Sequence, residues 1–138
     1  MKKKKTPFKM YEIQLPPTLY TMDLWLCNDL EGIPKAFSKR YGASTEYYKE
    51  EAISNNFAAI ISPTPDAPLK ETRLVCFLTD FSNLTVIHEA NHIVYKLFKV
   101  IGQEICQEVQ ELHCIFLEYI TDKIFKTVKE FTDGKRKA

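Results

Sequence analysis

The second half of the chain repeats apolar residues at the spacing of amphipathic helices, and this pattern restricts the fold more than any other feature. Between Asn83 and Ile101 one apolar face is predicted. Its members are Leu84, Ile87, Val94, Leu97, Phe98 and Ile101. Asp80 or Ser82 is placed to cap the start of this helix, and Gly102 is placed to end it. The sequence therefore predicts a long helix from residue 83 to residue 101.

A second long helix is predicted soon after Gly102. Apolar residues again follow helical spacing, from about Glu104 to Phe131. The predicted buried stripe consists of Ile105, Val109, Leu112, Phe116, Ile120, Ile124 and Val128. Two amphipathic helices in succession must bury these stripes against each other or against another layer of structure.

The part of the chain before these helices contains short stretches that are typical of strands. Residues 8–15 and 18–27 are rich in β-branched and aromatic side chains, and residues 57–62 and 73–79 are two further short apolar runs. A short helix is predicted around residues 34–41. Strands first and two long helices last predict an α+β fold, with a small, mainly antiparallel sheet and the two C-terminal helices packed on one of its faces.

The composition is that of one domain spanning residues 1–138, because 45% of the residues are hydrophobic and 27% are charged. Basic residues cluster at both ends, and we predict that residues 1–6 and 132–138 are disordered tails. The formal net charge is only +1. Charge therefore gives no reason to expect nucleic acid as a partner.

The sequence also predicts a cytoplasmic protein with no membrane partner. No apolar run approaches the roughly 20 residues that span a bilayer, and the residues that follow the first lysines are too polar for an export signal. The four cysteines show no Cys-x-x-Cys spacing. We therefore expect them to be reduced thiols.

The segment "HEANH", residues 88–92, is the strongest indication of chemistry. On a helix, His88 and His92 project from the same side one turn apart, so both imidazoles can bind one metal ion. Zinc takes imidazole and carboxylate ligands at about 2 Å. Glu89 lies between the histidines and is predicted to be the general base, which takes a proton from the attacking water and passes it to the leaving group.

Two other interpretations of this segment stay open. In the first, His88 and His92 are ordinary half-buried side chains that are hydrogen bonded to neighbours, and Glu89 is a surface charge. A zinc ion bound only for structure is the other possibility. These interpretations differ in what they require of Glu89, because only a hydrolytic zinc centre needs its carboxylate.

A catalytic zinc site needs a third protein ligand and one open position. The second helix offers carboxylates along one side, at Glu104, Glu108, Glu111 and Glu118. Most of them are expected to form a solvated acidic face. Only one is needed as a ligand, and a neighbour one turn away can accept a hydrogen bond from a ligand histidine. Cys114 is an alternative ligand, whereas His113 is expected to be a surface or packing residue.

Two motifs resemble the small zinc peptidases encoded in phages and prophages. These motifs are "TVIHEANHIVYKLFKVIG" and "QEVQELHCIFLEYI", residues 85–102 and 107–120. In that family a His-Glu-x-x-His helix leads through a glycine-terminated turn to a second helix with a Glu-x-x-Glu segment. The arrangement is also similar to the gluzincins, the thermolysin-like clan, whose third zinc ligand is a glutamate on the next helix.

The resemblance implies a role for each matching residue. His88, His92 and Glu111 would bind zinc, Glu108 would support a ligand, and Glu89 would activate water. This chain departs from the family where small residues usually follow the glutamate of the second helix, because residues 112–114 are Leu-His-Cys.

We therefore expect a zinc-dependent metallohydrolase that acts on a peptide or protein substrate. The alternative is a non-catalytic interaction protein of phage or mobile-element origin, in which zinc braces the two helices. For a phage-encoded protein the compartment would be the host cytoplasm. Exposed apolar surface on two long helices would also be compatible with a homodimer.

Overall fold

The computed structural model describes residues 8–28, 32–42, 56–104 and 106–137, apart from the side chains of residues 135–137. Its strands are β1 (Phe8–Gln14), β2 (Thr21–Cys27), β3 (Phe57–Ile61) and β4 (Arg73–Leu78). Its helices are α1 (Ile33–Tyr41), α2 (Asn83–Val100) and α3 (Gln110–Lys137), with a short 3₁₀ turn at Gln107–Val109 before α3. The predicted N-terminal tail and Ile105 lie outside the described residues.

The described strands form one sheet in the order β1-β2-β4-β3. The pairs β1/β2 and β3/β4 are antiparallel, and the central pair β2/β4 is parallel. The predicted α+β fold with a mainly antiparallel sheet is confirmed. Each strand lies within its predicted stretch. The central strands β2 and β4 are buried at every position, which matches their near-continuous apolar runs and a sheet that is covered on both faces.

One face of the sheet is covered by α2 and α3, as predicted. Residues of β2 and β4 on this face, such as Leu24 and Cys76, pack in one core with the apolar side of α2. The helices α2 and α3 run antiparallel, because Phe98 near the end of α2 contacts Phe116 near the start of α3, and Phe81 just before α2 contacts Phe131. The two helices lie side by side on this face, with α2 against β3 and β4 and α3 against β1 and β2.

The other face of the sheet is covered by α1. Trp25 of β2 packs edge-on against Phe37 of α1, with ring centroids 4.5 Å apart, and Phe77 of β4 lies 5.9 Å from the same ring. The indole N–H of Trp25 donates a hydrogen bond of 3.0 Å to the hydroxyl of Tyr41, which satisfies a polar group inside this aromatic core.

A buried charge cluster ties α1 to the sheet. Asp23 of β2 is fully buried, and its carboxylate accepts hydrogen bonds from Arg40 Nε at 2.8 Å, from the Tyr41 hydroxyl at 2.6 Å and from Arg73 at 3.2 Å. Arg40 also donates to Glu12 at 2.7 Å. Burial, and then the negative charge of Asp23, raise the pKa of the Tyr41 hydroxyl, so this hydroxyl stays protonated and donates to the carboxylate.

The face of α2 that is buried differs from the predicted one. Val94, Leu97 and Phe98 are buried as predicted, but Leu84 is 83% exposed, Ile87 46% and Ile101 38%. The buried side also includes Val86, Ala90 and Ile93, which the predicted face left out. Alanine is only weakly apolar, so Ala90 contributed little to the pattern from which the buried face was predicted. The predicted face was therefore rotated away from the side of α2 that is buried.

The helix α3 also differs from its predicted extent. It begins at Gln110 rather than Glu104, because residues 107–109 form the 3₁₀ turn, and its backbone continues to Lys137. Residues 132–137, which were predicted to be a disordered tail, are therefore helical in backbone. The buried positions Phe116, Ile120 and Ile124 follow the predicted stripe, and Phe131 extends it.

The start of α2 is fixed by a cap that the sequence predicted. The Ser82 hydroxyl accepts a hydrogen bond from the Thr85 backbone N–H at 3.3 Å and donates to Asp80 at 3.0 Å. Replacing Ser82 by Ala is expected to lower the free energy of unfolding by about 1 kcal/mol, because one N–H at the helix start loses its partner. Ser82→Asp keeps an acceptor and is the control. Equal urea midpoints for Ser82→Ala and the wild type would contradict this prediction.

Candidate functional site

The motif histidines lie side by side on the solvent side of α2. His88 and His92 are both exposed, and their Nε2 atoms are 3.2 Å apart. Their ring centroids are 4.8 Å apart and the rings are nearly perpendicular. A spacing of four residues on a regular helix produces this arrangement, since it brings both side chains to one side of the helix.

The spacing of the two Nε2 atoms fits a zinc ion. Two nitrogen ligands at 2.0–2.1 Å from a tetrahedral zinc lie about 3.3 Å from each other. The observed distance of 3.2 Å is close to this value. In the structure the two Nε2 atoms form a hydrogen bond with each other, and their spacing also matches that of two imidazole ligands on one zinc ion.

Glu89 differs from the histidines because its side chain is buried. Only 7% of its side chain is exposed, whereas 67% of the His88 side chain is, and its Oε1 lies 4.0 Å from His88 Nε2. Burial raises the pKa of the Glu89 carboxyl, and the two histidines act in the opposite direction. Cys76 of β4 is a neighbour on the sheet side, where burial and then the charge of Glu89 raise the pKa of its thiol.

An open cavity of about 330 Å³ lies beside these residues. It is lined by Asn56, Leu84, Thr85, His88 and Glu89. Asn56 directly precedes β3, which is an edge strand of the described sheet. The cavity therefore lies where the first turns of α2 meet the start of that strand.

The sequence interpretation missed Asn56. Its Oδ1 accepts hydrogen bonds from the backbone N–H groups of Thr79 at 2.7 Å and Asp80 at 3.0 Å, which join the start of β3 to the turn between β4 and α2. A polar residue with a strong turn preference at the start of an apolar strand was the available signal. Nothing in the sequence linked it to residues 88–92.

The structure does not bring Glu111 to the two histidines. Glu111 lies in the first turn of α3 and is exposed. His113 of this turn contacts α2, with its ring 5.5 Å from Tyr95 and 6.0 Å from Phe98. Because each helical residue is rotated by about 100° from the last, a residue two positions earlier lies on nearly the opposite side of α3.

Glu108 is also placed away from the histidines. It is exposed in the 3₁₀ turn, and a hydrogen bond with Cys106 lowers the pKa of its carboxyl. Cys114, the alternative ligand, is exposed on α3. Within residues 8–28, 32–42, 56–104 and 106–137, no group of three or more His, Cys, Asp or Glu side chains is arranged to hold a metal ion.

The comparisons with known proteins assign the chain to no family. No protein-family model matches the sequence, and neither the curated proteins nor the solved structures gave a match. In the part of the chain that the structure describes, no helix has both the length and the apolar character needed to cross a membrane.

Proposed function

We propose that this protein is a zinc-dependent metallohydrolase that cleaves peptide bonds. The observation that supports this proposal most is the pair of Nε2 atoms 3.2 Å apart, with a buried carboxylate 4.0 Å from one of them. Two imidazoles at the spacing of zinc ligands and an adjacent carboxylate are two of the ligands and the general base of a hydrolytic zinc site, which also needs a third ligand. The relationship to small phage-encoded zinc peptidases belongs to the same proposal.

Each residue of the motif has a separate task in this proposal. His88 and His92 would hold a zinc ion through Nε2. A bound zinc would supply the Lewis acidity that polarises a carbonyl and lowers the pKa of a bound water. Glu89 takes the proton from the attacking water and returns it to the leaving nitrogen. Burial of its side chain limits its rotamers, and this keeps the carboxylate beside the histidines.

Glu111 is the proposed third ligand, with Glu108 as its supporting carboxylate. In the structure both are exposed at the start of α3. Zinc binding through Glu111 therefore requires the first turn of α3 to rotate or shift toward His88 and His92. The alternative proposal, a structural zinc that braces α2 and α3 in an interaction protein, requires the same contribution from α3, because both histidines lie on α2.

The open cavity beside Glu89 leads us to propose a peptide or protein as substrate, because it lies next to an edge strand and has both polar and apolar lining residues. We propose that the protein acts in the cytoplasm, without nucleic acid or membrane as a partner. A homodimer is compatible with the exposed apolar residues Leu84, Tyr95 and Ile115.

Zinc binding is the first test of this proposal. The purified protein is expected to hold about one zinc per chain by elemental analysis after dialysis against a weak chelator. In a competition titration with a zinc indicator, His88→Ala and His92→Ala are each expected to lower the affinity by at least about 100-fold. Loss of a supporting residue already costs about 10- to 100-fold, and loss of a direct ligand costs more.

The variants of α3 identify the third ligand. If Glu111 binds zinc, Glu111→Ala lowers the affinity as strongly as the histidine variants, while His113→Ala, its neighbour on the other side of α3, leaves it unchanged. Glu108→Ala is expected to have an intermediate effect of about tenfold. A folded protein that takes up no zinc, with His88→Ala and His92→Ala indistinguishable from the wild type, would contradict the proposed function.

A further inference from the structure

The side-chain amide of Asn56 is held in one orientation at the cavity. Its Oδ1 accepts from the backbone N–H groups of Thr79 and Asp80, and also from the Thr79 hydroxyl at 3.3 Å. Backbone N–H groups only donate, so the oxygen and not the nitrogen of the amide must face them. The two N–H groups of Nδ2 are therefore directed away from the turn between β4 and α2.

These N–H groups have no acceptor among the described residues. Asn56 lines the same cavity as His88 and Glu89. The other neutral polar lining residue is occupied, because the Thr85 hydroxyl donates to Asp80 at 2.6 Å. Asn56 therefore carries an amide donor whose position is fixed by the hydrogen bonds of Oδ1, on a residue that lines the cavity. A donor fixed in this way needs little reorganisation to bind an oxygen atom.

We propose that Nδ2 of Asn56 donates a hydrogen bond to a carbonyl oxygen of an extended peptide and so positions that peptide beside His88 and Glu89. The amide is neutral, and the adjacent Leu84 side chain is 83% exposed. The ligand class that matches these two groups is a neutral amide next to an apolar side chain. The role of this contact in cleavage rests on the proposed function, whereas binding of the peptide amide does not need a metal.

Asn56→Asp separates the donor from the structural role of this side chain. The carboxylate keeps an oxygen that accepts from Thr79 and Asp80, so the turn is retained, but the N–H groups are lost. Thr85→Val is the matched control, because it removes a polar group from the wall of the same cavity, and that group already donates to Asp80.

The test is a titration followed by NMR of ¹⁵N-labelled protein, with N-acetyl-leucine amide as the probe. The side-chain NH₂ signals of Asn56 are identified by their absence in Asn56→Asp. These signals are expected to shift saturably with the probe, in the metal-free and in the zinc-loaded protein. Asn56→Asp is expected to lower the affinity for the probe about fivefold, which is the effect of one lost hydrogen bond. Thr85→Val is expected to leave the affinity for the probe unchanged.

The outcomes separate this inference from the proposed function. Saturable shifts in a protein that binds no zinc would support the Asn56 contact and contradict the zinc enzyme. Asn56 signals that do not move in either form would overturn the contact, whatever the zinc content. Equal probe affinities for Asn56→Asp and the wild type, with unchanged backbone signals of Thr79 and Asp80, would also overturn it.

Discussion

Asp23→Ala is expected to lower the free energy of unfolding by about 3–5 kcal/mol, because it removes the central acceptor of the buried charge cluster. Asp23 is fully buried and accepts from Arg40, Tyr41 and Arg73. Arg73 is itself 8% exposed in its side chain. Without the carboxylate, a guanidinium and a hydroxyl stay buried with fewer partners, and their desolvation is no longer offset. Urea unfolding, followed by the fluorescence of Trp25, measures the loss.

Glu12→Ala is the matched control for this experiment. Glu12 contacts the same two arginines but is half exposed, so its contribution is screened by water. We expect Glu12→Ala to cost less than about 1 kcal/mol. If Asp23→Ala does not fold, Asp23→Asn keeps an acceptor oxygen and gives a smaller loss that is still measurable. A loss for Asp23→Ala no larger than that for Glu12→Ala would show that the cluster is not what holds α1 to the sheet.

Glu89→Gln is expected to lower the rate of peptide cleavage by about 10²- to 10⁴-fold, the usual contribution of a general base. The amide has nearly the same shape as the carboxylate but accepts no proton at neutral pH. The zinc content and the fold are expected to stay unchanged, because His88 and His92 are not altered. The rate is measured by mass spectrometry on a mixture of unstructured peptides incubated with the zinc-loaded protein.

The surface glutamate Glu118 provides the control for Glu89, since it is exposed on α3 and its replacement by Gln is expected to have no effect on cleavage. A buried carboxylate also affects stability, so the unfolding free energy of Glu89→Gln is measured in parallel. If Glu89→Gln and the wild type cleave at the same rate, Glu89 is not the base. If the wild-type protein binds zinc and cleaves nothing, the structural-zinc alternative replaces the enzyme.

The strands and helices were predictable because each is encoded locally. Short stretches rich in β-branched, aromatic and other apolar residues predicted the spans of β1 to β4, and apolar residues at helical spacing predicted α2. The Ser82 cap predicted where α2 begins. The motif geometry was predictable for the same reason, since the separation of His88 and His92 depends only on the helix that carries them.

Features that depend on how elements pack were not predictable. Asp23 and Arg73 are 50 residues apart in sequence and meet only because β2 and β4 pair. Asn56 reaches the motif only because β3 lies beside β4 and α2. The position of Glu111 depends on the rotation of α3 about its axis, which is set by His113 and Phe116 packing against α2 and not by the spacing of glutamates.

The parallel pairing of β2 with β4 has a consequence for the order of folding. Met22 of β2 pairs with Leu74 of β4, so the centre of the sheet forms only after a long loop closes. The β1/β2 hairpin can form early, but the other edge of β2 has no strand paired to it until β4 has been synthesised and has folded against it. During synthesis, the ribosome must therefore release the chain beyond Leu78 before the sheet is complete. Until then the hairpin exposes the unpaired edge of β2, where a strand of another chain can pair.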